Sequence, residues 1–208
     1  MSPRTPEQNE EIRQQRNKQI LEAAREVYLE KGVLGTEIGE VAKRAGIARA
    51  LVYYYYKDKN DLFQTLFEDS LGTAVRFVSA WLKTEEPALV RLQTYASHYL
   101  HNAVHNPKMV HFFRNLHQDI PLVFGDKAGE ITKVFVRNIH QPLIDTFQEG
   151  MDEGVLRKSD SYLTAHMFWG SVSGAMFAIT EKKMKPNMPE TEQHIHAAME
   201  VLFKGICQ

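Results

Sequence analysis

A single cysteine, Cys207, is all the thiol chemistry in this 208-residue chain. One cysteine cannot close an intramolecular disulfide, which argues against the framework of a secreted domain. Apolar runs of membrane-spanning length are also missing, and the opening stretch SPRTPEQNEEIRQQR is polar, without the core of a signal peptide. The expectation is a cytoplasmic protein with no membrane partner. The signatures of common catalysts are absent as well: no Gly-rich phosphate loop, HExxH or GxSxG pattern occurs. No enzymatic activity and no cofactor is therefore expected. Global charge is nearly absent too, at −1, so nothing in the totals announces nucleic acid.

What is present is an ordinary soluble composition, 43% hydrophobic and 25% charged, arranged with helical periodicity. Period-2 alternation of useful length does not occur, so the fold class expected is all-α with about nine helices. Beyond a polar arm with Pro3 and Pro6, periodicity starts near Ile12 and is clear at Ile20, Ala23, Ala24, Val27 and Tyr28, up to a stop at Gly32. Thr36 reads as the N-cap of a second helix with Ile38, Val41, Ala42 and Ala45 as its apolar stripe. Gly46 follows, suited to a steep exit, and a short third helix runs from Ala48 to about Tyr55. A long helix is expected from Lys59 to about Leu82, then one opened by Pro87 and broken at Asn106-Pro107. Next come a short helix over Met109–His117, a loop with Pro121, and a helix near Glu130–Glu153 that Pro142 should kink or split. Ser159-Asp160 precedes a final pair, about Ser161–Lys182 and Pro189–Ile206.

The near-neutral total conceals local charge. Lys43, Arg44, Arg49, Lys57 and Lys59 face only Asp58 between positions 43 and 59, which makes +4. Such a patch on a pair of short helices is the footprint of a DNA-reading head. Four consecutive tyrosines, Tyr53 to Tyr56, close the third helix, and they cannot share one helix face. In the last pair, small residues around Gly170 and Gly174 alternate with Trp169, Ser173 and Phe177, while the final helix offers Ile195, Met199 and Leu202. These are candidates for a two-fold dimer interface, completion of a monomer core being the other reading. His101 and His105, at i, i+4, have the spacing of two metal ligands, but the sequence supplies no identifiable third, so no metal is expected.

The run Ile20-Leu21-x-Ala23-Ala24, Gly32, Thr36, Ile38, Val41-Ala42, Ala45-Gly46-Ile47, Tyr53, Tyr56, Lys59 and Leu62 resembles the TetR family of bacterial transcriptional regulators. The resemblance implies an N-terminal helix-turn-helix domain over 1–60 and a C-terminal ligand-sensing and dimerisation domain over 61–208. It further implies a homodimeric repressor whose two heads enter successive major grooves of a palindromic operator, about 34–36 Å apart. Thr36, Tyr53, Lys57 and Lys59 then serve as phosphate anchors, beside the basic Arg44. Arg49, Ala50, Leu51 and Tyr54 serve as base readers. The arm residues Arg4, Arg13 and Arg16 are candidates to reach backbone or minor groove. Where this family usually carries a serine cap, the chain has Ala48, a loss of about 1 kcal/mol of local helix stability.

The resemblance also implies a cavity in the C-terminal domain whose small-molecule inducer tilts the long helix and releases DNA. Phe67, Trp81, Tyr95 and Tyr99 are candidate lining residues, with His101 as a polar one. Phe112, Phe113, Phe135 and Phe168 complete that set. The competing function is an architectural or replication-coupled DNA-binding dimer without a small-molecule ligand.

Overall fold

Thr5 opens the first helix with a reciprocal cap. In the computed structural model, which describes residues 5–204, the Thr5 hydroxyl accepts from Gln8 N at 3.3 Å, and Gln8 Oε1 accepts from Thr5 N at 3.1 Å. Pro6 sits where its missing N–H costs nothing. The first helix, α1 (Pro6–Gly35), therefore starts several residues before its apolar periodicity does, and residues from Pro6 onward are not an extended arm. Arg4 and Cys207 lie outside the described residues.

Gly32, at φ +68°, interrupts α1 in the left-handed region that glycine tolerates. Then follow α2 (Ile38–Ala45), α3 (Arg49–Tyr55), α4 (Lys59–Leu82), α5 (Ala88–His105) and α6 (Pro107–Phe124). A 3-10 turn (Gly125–Lys127) leads into α7 (Ala128–Asp152), α8 (Ser161–Glu181) and α9 (Pro189–Lys204). Asp160 caps α8, its carboxylate accepting from Leu163 N at 2.7 Å. The described residues form an all-α fold, as the periodicity requires.

The chain divides into two compact units, and the division falls within α4 and α6 and after the first residue of α7. One unit holds α1–α3, α4 as far as Ser70, and Asn115–Ala128; the other holds α4 from Leu71, α6 as far as Arg114, α5, and the chain from Gly129 on. In the first unit Tyr28 is the central buried ring, edge-on to Phe63 at 5.8 Å and Phe67 at 5.6 Å. Its hydroxyl donates to Asp119 Oδ2 at 2.8 Å. Gln64 Nε2 donates to the Val123 carbonyl at 3.2 Å, and Phe124 packs on Phe67. The loop expected around Pro121 is instead the last turns of α6. Ile120, Val123 and Phe124 present one buried face at i, i+3, i+4, and that burial outweighs the hydrogen bond that Pro121 forfeits.

The second unit is built on Val78, Leu92, Leu100, Leu143, Phe147, Phe168 and Val172. Pro142 does not split α7. Ile139, Leu143 and Phe147 stay on the buried face through the proline, and packing holds the helix continuous. Gly150 permits a close approach, since a Cβ there would stand 2.6 Å from Leu156 Cδ1 and 3.2 Å from Ala88 Cβ. Arg91, buried on α5, donates to the Leu82 carbonyl at 2.8 Å and pairs with Glu149 of α7, tying three helices at one end of this core.

Candidate nucleic-acid interface

The turn between α2 and α3 sets the direction of the candidate reading helix. Gly46 adopts φ +65°, ψ +34°; its N–H donates to the Lys43 carbonyl at 3.2 Å and Ile47 N–H to the Ala42 carbonyl at 3.0 Å. This 5→2 and 6→1 pair is the Schellman ending, which uses otherwise orphaned carbonyls and turns the chain sharply. Ala48 takes the cap position of α3 without a side-chain bond, as its sequence requires.

On α3, Val52 is fully buried, whereas Arg49, Ala50, Tyr53 and Tyr54 are exposed, Tyr54 to 78%. These four occupy adjacent i, i+4 rows of one solvent face. Leu51, expected among the readers, is half-buried and presents only part of its side chain. The Arg49 guanidinium donates to the Tyr53 hydroxyl at 3.2 Å and stands 5.5 Å from that ring's centre. The pair orders a planar cation beside a phenol, a combination able to bond a base edge or a phosphate. Tyr56 is no part of this face. It ends α3 in extended backbone, is buried, and its hydroxyl donates to Asn17 Oδ1 of α1. Burial pushes its phenol above the usual value.

Two expected anchors are occupied within the head. Thr36 is completely buried, and its hydroxyl donates to the Gly32 carbonyl at 2.7 Å, while Glu37 takes the cap position of α2. The hydroxyl therefore does not face a phosphate; it holds the chain where α1 ends. Arg44 forms charge-assisted bonds with Glu30 at 2.9 and 3.0 Å and with Glu26 at 3.1 Å, which raise its pKa. Part of the +4 read from the sequence is thus neutralised by α1. Lys57 is exposed, with its backbone N–H bonded to Asp61, and Lys59 Nζ donates to the Leu34 carbonyl at 3.1 Å. Asp58 caps α4 through Asp61 N at 2.9 Å.

Residues of α1 that no motif singles out aim the reading pair. Gln19 Nε2 donates to the Ala45 carbonyl at 2.6 Å, and Lys31 pairs with Glu40 of α2. They sit on a polar face indistinguishable in sequence from one that merely meets water.

In the second unit the candidate lining residues separate into groups. Tyr99 gathers Phe77 at 4.7 Å, Tyr95 at 4.8 Å and Trp169 at 4.9 Å, and Trp81 stacks on His98 at 3.7 Å. Burial pushes Tyr99 up to about 12 and lowers His98. Phe67 does not join them, being core of the first unit. Phe168 is core between Phe147 and Phe203; Phe112 packs on Phe113, and Phe135 meets His140. His101 Nδ1 lies 2.8 Å from the Ser97 carbonyl and Nε2 lies 3.3 Å from Glu192. Among the described residues, no group of three or more His, Cys, Asp or Glu is placed to hold a metal ion.

Ile195 and Leu202, expected at a dimer interface, are buried in the chain's own core, and Trp169 turns its ring onto Tyr99. Ser173 and Met199 are half-buried. The outward face of α8 carries Leu163, Met167, Gly170 and Gly174, with Phe177 at its edge, and α9 carries Val201 at 78% exposure. No helix among the described residues is long and apolar enough to cross a membrane.

A short exposed helix, set by a Schellman turn against a buried partner and braced on a long first helix, defines a helix-turn-helix DNA-binding regulator. The family model for bacterial regulatory proteins of the tetR family matches residues 20–66. The fatty acid metabolism regulator protein of Bacillus subtilis is 26% identical over 191 residues, spanning 90% of this chain and 94% of that one. The fold is also that of AibR, solved in complex with isovaleryl coenzyme A and operator DNA (TM-score 0.72, 19% identity, 90% and 98% of the two chains). A further match is FadR from Bacillus subtilis, solved with stearoyl-CoA (TM-score 0.69, 19% identity, 90% and 98%). Residues 20–66 thus carry the DNA-binding head of tetR-family regulators, and the chain, similar over most of its length to one such regulator, is a transcriptional regulator.

Proposed function

We propose that this regulator is a homodimeric repressor that binds a near-palindromic operator and leaves it when an acyl-CoA thioester occupies the C-terminal domain, residues 61–208. The observation that carries the DNA half is the exposed face of Arg49, Ala50, Tyr53 and Tyr54 on a helix whose direction Gly46 fixes. Arg49 and Tyr54 read bases, Ala50 admits close approach to a thymine methyl, and Tyr53, Lys57 and Lys59 hold phosphates. In this proposal Thr36 and Arg44 position the head instead of touching DNA. Dimerisation uses Leu163, Met167, Gly170 and Gly174 of α8 with Val201 of α9, the two glycines letting a second copy come close, and Phe177 stays outside that seam.

The effector class rests on the near full-length likeness to a fatty acid metabolism regulator and on two fold relatives solved with acyl-CoA species. An effector of this kind acts by binding the DNA-incompetent arrangement more tightly than the competent one. The test is fluorescence anisotropy on duplex from upstream of the protein's own gene, with a scrambled duplex as control, titrated with thioesters from isovaleryl-CoA to stearoyl-CoA. Specific binding released by one of them is expected. Equal affinity for both duplexes sinks the DNA reading, and specific binding that no thioester releases sinks the effector reading.

A further inference from the structure

From Pro87 to Gln118 the chain contains no aspartate or glutamate, although it has 26 acids in all. The same stretch holds Arg91, Lys108 and Arg114 together with five of the nine histidines: His98, His101, His105, His111 and His117. It forms α5 and most of α6. Some of these groups are used inside the fold, since Arg91 pairs with Glu149 and His101 Nε2 lies beside Glu192.

Lys108, His111 and Arg114 differ. They follow one another at i, i+3 spacing on α6, and among the described residues no carboxylate comes within ion-pair distance of Lys108 or Arg114. Both cations are exposed. The Arg114 guanidinium stands 5.0 Å from the centre of the Phe177 ring on α8, and the His111 imidazole meets that ring edge-on at 6.3 Å and 79°. Phe177 itself is 37% exposed. An accessible aromatic face thus lies beside a guanidinium already held in place, with an imidazole and an ammonium further along the same helix.

This arrangement has the chemistry of a handle for an adenine nucleotide. The ring offers a stacking surface, and Arg114 presents a planar fork that matches phosphate oxygens. Holding the guanidinium against a ring reduces the freedom lost when a phosphate arrives. An acyl-CoA carries its adenine and phosphates at the end opposite the acyl chain. We infer that Lys108, His111, Arg114 and Phe177 form the subsite for the nucleotide end of the thioester, leaving the apolar interior of the second unit for the acyl chain. The assignment rests on the acyl-CoA reading above and names where the charged end binds.

Calorimetry with the full-length chain tests it, using stearoyl-CoA, isovaleryl-CoA, free CoA and stearate as probes. The Lys108→Gln/Arg114→Gln double variant should bind the preferred thioester about tenfold or more weakly, the effect of losing charge-assisted contacts. Its dependence on salt should flatten, while stearate binding and operator affinity without effector stay unchanged. Phe177→Leu should weaken free CoA and thioester alike. Arg137→Gln, which removes an exposed cation from α7, is the control and should change nothing. Thermal melts establish that each variant is folded. Unchanged thioester affinity in the double variant, or an equal loss in Arg137→Gln, overturns the subsite and leaves the effector class standing. Failure of every thioester to bind the unaltered chain overturns both.

Discussion

Replacing Gly170 and Gly174 by alanine separates two consequences that point in opposite directions. Both glycines lie inside α8 on its outward face, and a Cβ built on either meets no atom of the chain within 4 Å. For an isolated protomer each change is favourable, because alanine in an exposed helix interior gains roughly 0.5–1 kcal/mol over glycine. The pair then adds about 1–2 kcal/mol, which raises the midpoint by roughly 2–8 °C in a chain of this size. If the same face is the seam of a two-fold dimer, every added methyl is presented to the partner. Overpacking costs about 1–3 kcal/mol per site, so the two sites together cost about 2–6 kcal/mol and raise the dimer dissociation constant roughly 30- to 20,000-fold. Sedimentation equilibrium gives that constant, and melts at high dilution report the protomer's own stability. A raised midpoint together with an unchanged dissociation constant would refute the placement of the seam. A lowered midpoint in the dissociated state would refute the packing argument itself.

Three other perturbations test the head, the core and the pH response. Arg49→Ala should alter the ranking of operator variants by about tenfold at one base pair, whereas Lys57→Ala should weaken binding to every duplex and lower the salt slope by about one; competition anisotropy at several salt concentrations reads both, and exchanged effects contradict the assignment. Gly150→Ala places its Cβ 2.6 Å from Leu156 Cδ1 and 2.9 Å from Cγ, so overpacking of about 1–3 kcal/mol exceeds the helix-propensity gain of about 1 kcal/mol. Urea denaturation should show a net loss that Leu156→Ala partly suppresses in the double variant. For pH, burial is the first cause raising Tyr28, Tyr56, Tyr95 and Tyr99 above 10.0, Tyr99 to about 12. Above pH 10 the unfolded chain loses phenolic protons that the native chain keeps, so stability is full below that point and falls as pH rises through it. Urea midpoints that stay level well beyond pH 10 would remove these four phenols from the account.

The helices were legible because most are amphipathic with clear punctuation: Gly46 after Ala45, Pro87, Asn106-Pro107 and Asp160 each mark an end that the structure keeps. Errors arose where tertiary burial overrules a local breaker. Pro121 and Pro142 have strong intrinsic effects, yet Ile120, Val123 and Phe124 around one, and Ile139, Leu143 and Phe147 around the other, bury enough apolar surface to carry the helix through. Thr5-Pro6-Glu7-Gln8 was readable as a capping box, and the absence of apolar residues after it disguised a helix that extends into solvent.

For the interface, composition located the head and could not apportion its charges. Arg44 and Lys57 look alike in a net-charge sum. One is held by Glu26 and Glu30, 18 and 14 residues earlier on α1, and the other is open to solvent. The same pairing principle runs the other way on α6, where Lys108 and Arg114 lie in a chain segment without acids and, among the described residues, meet no carboxylate. A charge held by carboxylates of its own fold contributes little attraction for an anion, because the neighbouring negative charge cancels its field at short range. Sites for polyanions are therefore to be sought where cations remain after internal pairing is subtracted. By that criterion the head keeps Lys43, Arg49, Lys57 and Lys59, and α6 keeps Lys108 and Arg114, as the cations on which the proposed DNA and phosphate contacts rest.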